Sequence, residues 1–390
     1  MPPPAFGGKG GAGTLPRAAR FRIVIPQRTA AGPSPPMRLA APIAALMAAF
    51  LLLLPPARAE APLPLARAPL LDVAAIPFTG PMGQAEAART LLRNLPRAFA
   101  IGPGGAFAGR SGNAAPDVVA NAALEACQAH TPGRVPCRLW LKDLAIVLPG
   151  HEWAASPPPL DVGLRMPARE TVPDARFLWW GPGQARGVLL WAHGRSSAGA
   201  DSRGRQPQAW IRHINNAGFD VWRFDRDPAT DFTRQAAEWM REDLAALRAQ
   251  GYRRLIVAGQ SRGGWNALQA LDTPGLAEVH IAIAPAALAA MEDAAQARQI
   301  ANLRAVIAAA AGAGRARVAV ANFQDDPFDG LPDARAAALR ALDGRAAAFL
   351  LIDRPEGIAG HGGGASRAFA DRYGACLLRF ATAAVPPPAC

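Results

Sequence analysis

From about residue 165 the sequence alternates strand-length apolar runs with stretches of helical period, and this pattern constrains the fold more than any other feature. The runs fall at 177–180, 188–192, 219–224, 255–258, 279–284, 318–323 and 347–352. None alternates strictly between apolar and polar, which is how strands buried on both faces read. Between them, Trp210, Ile211, Ile214 and Ala217 share one helical face ended by Gly218. Ala236, Met240, Leu244 and Leu247 make another, ended by Gly251, and Phe369, Tyr373, Cys376, Leu377 and Phe380 make a last one. Strands alternating with helices predict an α/β architecture, a mostly parallel central sheet flanked by helices. The Ala-rich stretch 286–313 carries helical signal and no strand, which suggests a cap insertion.

The first 59 residues are a different text. Residues 1–36 are Pro, Gly, Ala and Arg without an apolar period, a composition unable to bury a core. Met37 and Arg38 then precede an uncharged apolar stretch, and Ala57-Arg58-Ala59 reads as a cleavage site. The expectation is a misplaced start at 1–36, a signal peptide at 37–59 and a mature chain from Glu60, exported to the periplasm or secreted. A membrane anchor is the competing reading, disfavoured by Pro42, Pro55 and Pro56, so no stable span is expected after cleavage. The formal charge of +12 belongs mostly to this segment. Seven of the 42 basic residues and none of the 30 acids lie within 1–59, leaving 35 against 30 with no basic run. Nucleic acid is therefore not an expected partner, and no phosphate-binding glycine fingerprint follows a strand. The 51% hydrophobic content excludes a wholly disordered chain.

Residues 60–150 read as a small α+β accessory module, 151–164 as a Pro-rich linker, and 165–383 as the main domain. Within the module, runs at 98–102 and 106–109 flank a Pro-Gly-Gly turn and predict a hairpin. Pro116-Asp117 opens a helix to Cys127, and Cys137 begins another apolar segment. All four cysteines, Cys127, Cys137, Cys376 and Cys390, lie after residue 60, as a disulfide compartment prefers. They allow three pairings, of which the compact one joins Cys127 to Cys137 and Cys376 to Cys390. Zinc-ligand spacing is absent, and no metal or cofactor is expected.

The chemistry-bearing residues begin with Gly259-Gln260-Ser261-Arg262-Gly263, set between the run 255–258 and a helical stretch. A strand-to-helix turn this tight strains the serine backbone, needs small flanking residues, and lifts the hydroxyl above the sheet. A serine of ordinary pKa needs a base, and the base needs an orienting acid. Of six histidines, His361 lies in the Gly-rich loop Gly360-His361-Gly362-Gly363-Gly364 after the last strand, where a side chain can be aimed freely. His280 sits inside a strand, as a core histidine would, and His193 ends the run 188–192. The acid is expected after the strand at 318–323, where Asp326 is favoured, Asp325 is the alternative and Asp329 a remote third. An oxyanion hole needs two backbone N–H groups, for which Arg262 and Arg195 of His193-Gly194-Arg195 are the candidates. Arg195, Arg203, Arg205 and Arg262 border the same region, which is no more than the abundance of arginine here requires.

Residues 165–380 resemble the α/β-hydrolase superfamily, with the H-G-x turn, the nucleophile elbow, the acid after a strand and the late histidine in the expected order. In style they are similar to dienelactone-hydrolase-like or esterase-like members. The resemblance implies a serine hydrolase cleaving small-molecule or polymeric carboxylic esters through an acyl-enzyme, with Ser261, His361 and Asp326 as its triad. A peptidase or amidase with the same triad, and a non-catalytic binding protein on this scaffold, are the alternatives. Nothing in residue order points to an oligomeric state.

Overall fold

A computed structural model describes residues 68–131, 135–196, 201–288 and 291–390. The expected extension at 1–36, the signal segment at 37–59 and residues 60–67 lie outside the described residues.

Helix α1 (Pro81–Leu91) leads into a hairpin of β1 (Arg97–Gly102) and β2 (Ala106–Ser111), turned through Gly104 and Gly105 at positive φ. Helix α2 (Pro116–Gln128) starts on proline with Asp117 in its first turn, so an acid faces the positive end of the helix. Strands β3 (Arg138–Lys142), β4 (Ala145–Ile146) and β5 (Trp153–Ala154) complete an antiparallel sheet of order β2-β1-β3-β4-β5. Its two faces differ. Ala98 and Ala100 meet Val119, Ala120 and Ala123 of α2, whereas Phe99 and Ile101 meet Leu91, Trp140 and Leu141. Disulfides join Cys127 to Cys137 and Cys376 to Cys390. Gly102 lies against the first of them, because a Cβ there would sit 2.8 Å from the Cys137 sulfur.

The large sheet contains β6 (Leu164–Met166), β7 (Arg169–Pro173), β8 (Gly187–Ala192), β9 (Phe219–Arg226), β10 (Leu255–Gln260), β11 (Val279–Ile283), β12 (Arg317–Asn322) and β13 (Ala348–Asp353). Their order is β13-β12-β11-β10-β8-β9-β7-β6. Strands β8 to β13 are parallel, while β7 and β6 run antiparallel at one edge. Helices α3 (Ile211–Asn216), α4 (Thr233–Ala249), α5 (Arg262–Gln269), α6 (Asp293–Ala308), α7 (Pro332–Arg340) and α8 (Arg367–Thr382) connect and cover it.

Both faces of the parallel strands are buried, which explains the continuous apolar runs. Leu189, Trp191, Ile256 and Ala258 pack against Ile211, Ile214, Phe369 and Phe380 from α3 and α8. Val188, Leu190, Leu255 and Val257 face Met240, Leu244 and Leu247 of α4. From β8 the chain steps to β9 on one side, then returns to β10 on the other, and the crevice at such a switch point is where open α/β sheets place their sites.

Two expectations are corrected. Residues 177–180 are a loop, not a strand, although Phe177 faces the large core and Leu178 the smaller one in strand-like alternation. Side chains satisfy its backbone instead of a ladder. Leu178 N–H donates to Asn215 Oδ1, Asn215 Nδ2 donates to the Leu178 carbonyl, and Trp180 N–H donates to Asp220. The described residues of 286–313 do not form a cap either. Helix α6 is the crossover from β11 to β12, with Leu303 and Ile307 packed against Leu268, Leu271 and Leu339 on the flank of the sheet.

Candidate active site

Ser261 joins β10 to α5 at φ 55° and ψ −118°, a conformation that costs a non-glycine residue on the order of 1–3 kcal/mol. The surroundings impose it. Ser261 N–H donates to the Ile283 carbonyl at 2.9 Å, and the Ser261 carbonyl accepts from Trp265 N–H at 2.9 Å and Ala286 N–H at 3.1 Å. The flanking glycines are steric necessities. A Cβ on Gly259 would lie 2.3 Å from the Gly263 carbonyl carbon, and one on Gly263 would lie 2.1 Å from the Ala192 oxygen. The helix thereby presses onto the ends of β10 and β8, leaving the serine at the rim of a cavity of about 490 Å³.

His361 lines the same cavity from the loop after β13, and Asp326 follows β12. His361 Nδ1 is 2.9 Å from both Asp326 carboxylate oxygens. A carboxylate accepts, so Nδ1 carries the proton and Nε2 is left as the ring's acceptor. Asp326 is itself fixed. Its Oδ1 also accepts from Phe328 N–H at 2.9 Å, and the Phe328 ring stands edge-on to the imidazole with centroids 4.6 Å apart. Gln260 Nε2 donates to the His361 carbonyl at 3.2 Å, tying the histidine loop to the elbow. Asp325 sits at φ 55° and is exposed, with Gln324 as its neighbour, so the turn that displaces it delivers Asp326 inward. Asp329 pairs instead with buried Arg335 at 3.0 Å.

Across the crevice, His193-Gly194-Arg195 leaves β8 so close to the elbow that a Cβ on Gly194 would lie 3.3 Å from Ser261 Cβ. Gly194, Arg195 and Arg262 line the cavity with Ser261. The Arg262 N–H is the first of α5, hence without a partner inside the helix. Burial and the neighbouring Arg226 cation push the His193 ring down to about 3, so it is neutral at ordinary pH. His280 is buried within β11 with Nδ1 2.8 Å from the Ala267 carbonyl, and burial lowers it to about 4. Neither His280 nor His213 lines the cavity.

The four arginines divide. Arg203 pairs with Asp201 and Asp227, and the Arg262 guanidinium donates to the carbonyls of Asp231 and Ala287. Arg195 and Arg205 line the cavity, and no carboxylate lines it among the described residues. Trp191, Leu288 and Phe328 supply apolar wall. Sequence reasoning assigned no role to Gln260, Phe328 or Arg226, whose contacts with His361 and with the His193-Gly194 turn arise only through tertiary approach. Among the described residues no group of three or more His, Cys, Asp or Glu is placed to hold a metal ion.

A parallel sheet in this strand order, with a serine elbow after β10 and the Asp and His after β12 and β13, defines the α/β-hydrolase fold. No protein-family profile matches the sequence, and no curated protein matches it. Among solved structures the chain is similar to an esterase of Pyrococcus furiosus at 14% identity, covering 52% of this chain and 85% of that one with a TM-score of 0.38. It is also similar to an S-formylglutathione hydrolase of Agrobacterium tumefaciens at 16% identity, covering 55% and 91% with a TM-score of 0.37. A monoacylglycerol lipase of Paleococcus ferrophilus is similar at 14% identity, covering 54% and 96% with a TM-score of 0.37.

Proposed function

We propose that this chain is a serine hydrolase that cleaves carboxylic esters through an acyl-enzyme. The observation that carries the reading is the Asp326–His361 pair, at 2.9 Å, whose histidine lines one cavity with a strained Ser261. Ser261 Oγ attacks the acyl carbon while His361 Nε2 takes its proton, and Asp326 holds the imidazole tautomer and its positive charge. The tetrahedral oxyanion is met by the N–H groups of Arg262 and Arg195. Collapse expels the alcohol, which receives the proton from His361. Water then attacks the acyl-enzyme with His361 again as base, releasing the acid and restoring Ser261.

Export to the periplasm or beyond belongs to the same proposal, supported by the two disulfides. No helix among the described residues is long and apolar enough to cross a membrane. The test is fluorophosphonate labelling of purified protein, followed by a p-nitrophenyl ester series set against peptide amides. A label on Ser261 with ester turnover is the expected result. Faster amide cleavage would make the chain a peptidase or amidase. An unlabelled serine with no turnover would leave a binding protein on this scaffold.

A further inference from the structure

Beneath the oxyanion loop lies a fully buried arginine that the mechanism above does not use. Arg226 ends β9 with no exposed surface. Its Nη2 donates to the His193 carbonyl at 2.7 Å and to the Gly194 carbonyl at 3.2 Å. Its Nε donates to Asp231 Oδ1 at 2.9 Å, which fixes the guanidinium in place. His193 adds a second clasp. The Arg226 backbone N–H donates to His193 Nε2 at 3.1 Å, so that nitrogen is the acceptor and Nδ1 carries the hydrogen. Nδ1 then donates to the Gly194 carbonyl at 2.5 Å.

The consequence follows from peptide geometry. The only cis bond among the described residues is Leu95–Pro96, so the Gly194–Arg195 peptide is trans and its C=O and N–H point in opposite directions. Two donors hold the Gly194 oxygen inward, and the Arg195 N–H is thereby turned the other way, away from Arg226. We propose that Arg226 is a positioning residue that, together with His193, locks the Gly194–Arg195 peptide with its N–H toward the cavity. The inference rests on the oxyanion role given to Arg195 above.

A lock is needed because the loop is built on glycine. Gly194 has no Cβ to restrict it, and glycine backbones turn readily. A flipped peptide would aim a carbonyl oxygen at the position where negative charge develops. The same buried network reaches the second donor. Asp231 also accepts from Ser196 N–H at 3.2 Å, and its carbonyl accepts from Arg262 Nη1 at 2.7 Å, so Asp231 braces Arg262 and the residue that follows Arg195.

The test compares wild type with Arg226→Gln and with the double variant Arg226→Gln/Asp231→Asn, which leaves no buried carboxylate unpaired. Loss of one oxyanion donor costs about 10²- to 10³-fold in turnover. The expected result is a fall in kcat of about 10- to 100-fold, with KM moving less than about threefold. Affinity for a trifluoromethyl ketone, which forms a tetrahedral adduct on serine, should fall by the same factor. Affinity for the matching methyl ketone should hold. A folded variant with kcat and trifluoromethyl ketone affinity near wild type overturns the proposal, as does a rise in KM alone. Should both variants fail to fold, a crystal structure of the wild-type ketone adduct decides. The adduct oxygen must lie within hydrogen-bond reach of Arg195 N while the Gly194 oxygen stays on Arg226, and a Gly194 carbonyl facing the adduct overturns the proposal. A wild type inert to esters and fluorophosphonate defeats the hydrolase reading and this inference with it; a reactive wild type with indifferent variants defeats this inference alone.

Discussion

Two adjacent aspartates follow β12, and the left-handed turn at the first decides which one meets His361. Asp325 takes the left-handed turn and faces solvent, while Asp326 accepts from His361 and from Phe328 N–H. Asp326→Asn can keep the Phe328 bond through its carbonyl oxygen. Its amide nitrogen would face His361 Nδ1–H, however, and favour the wrong tautomer. Turnover of an ester by Asp326→Asn should therefore drop on the order of 10³- to 10⁴-fold at unchanged folding, by steady-state kinetics and circular dichroism. Asp325→Asn should stay within about twofold, the usual range for a surface change. The reverse ranking would show that the wrong carboxylate is assigned. The histidines held neutral by burial make a separate claim. His193 and His280 are pushed down to about 3 and about 4, so between those values and the ordinary imidazole range the unfolded chain binds protons that the folded one refuses. Stability that is complete above that range is lost as pH falls through it. Each group contributes a slope of up to about 1.4 kcal/mol per pH unit. Urea unfolding between pH 7 and pH 4 should reveal the slope, and His280→Gln should reduce it by about one proton. An unchanged slope would mean that His280 titrates normally.

At the scale of elements, the parallel strands were legible because both of their faces are buried, so the apolar residues run on without a break. The elbow was legible for a steric reason that its close backbone approaches make quantitative. Gly263→Ala would place a methyl 2.1 Å from the Ala192 oxygen, on backbone that cannot swing aside, so α5 must lift from β8. Overpacking of this kind costs about 1–3 kcal/mol. Because the shift also moves Ser261, thermal midpoint and fluorophosphonate labelling rate should fall together. A variant that labels normally would show that the elbow has slack. What the sequence hid was polar or irregular. The antiparallel edge of β6 and β7 reads Leu-Arg-Met and Arg-Glu-Thr-Val-Pro, too short and charged to stand out from loop. The loop at 177–180 imitated a strand because it is wedged between two cores. Arg226 carried no signal, since an arginine at a strand end ordinarily reads as solvated, and only the fold brings the His193 and Gly194 carbonyls and the Asp231 carboxylate to it.

For the molecule as a whole, residues 68–159 are joined to the large-sheet region by specific contacts, and some of these lie near the cavity. Leu95 N–H donates to Gln206 Oε1 and the Leu95 carbonyl accepts from Gln206 Nε2, while Asn94 Nδ2 donates to the Pro207 carbonyl. Gln206 and Gln208 line the cavity, so the loop that leads into β1 braces one of its walls. That sheet has little apolar area of its own on the α2 side, where the core is alanine with Val119 and the Cys127–Cys137 disulfide. The bridge closes a short loop, ten residues in sequence separation, and a loop of that order contributes roughly 3 kcal/mol. The parallel sheet relies on no such link, because large side chains fill both of its faces. The second disulfide ties the C-terminal tail to α8, whose Phe369, Leu377 and Phe380 are anchored independently. Reduction should therefore loosen the two regions unequally. Hydrogen exchange after reduction is expected to speed amides in β1, β3 and α2 strongly, while those in β8, β10 and β11 keep their protection. Since the loosened sheet carries the Asn94-Leu95 loop that holds the Gln206 wall, and not the Asp326–His361 pair, KM for an ester should rise with kcat largely kept. Faster exchange in β10 than in β1, or a loss of kcat at constant KM, would place the dependence on disulfides in the large parallel sheet instead.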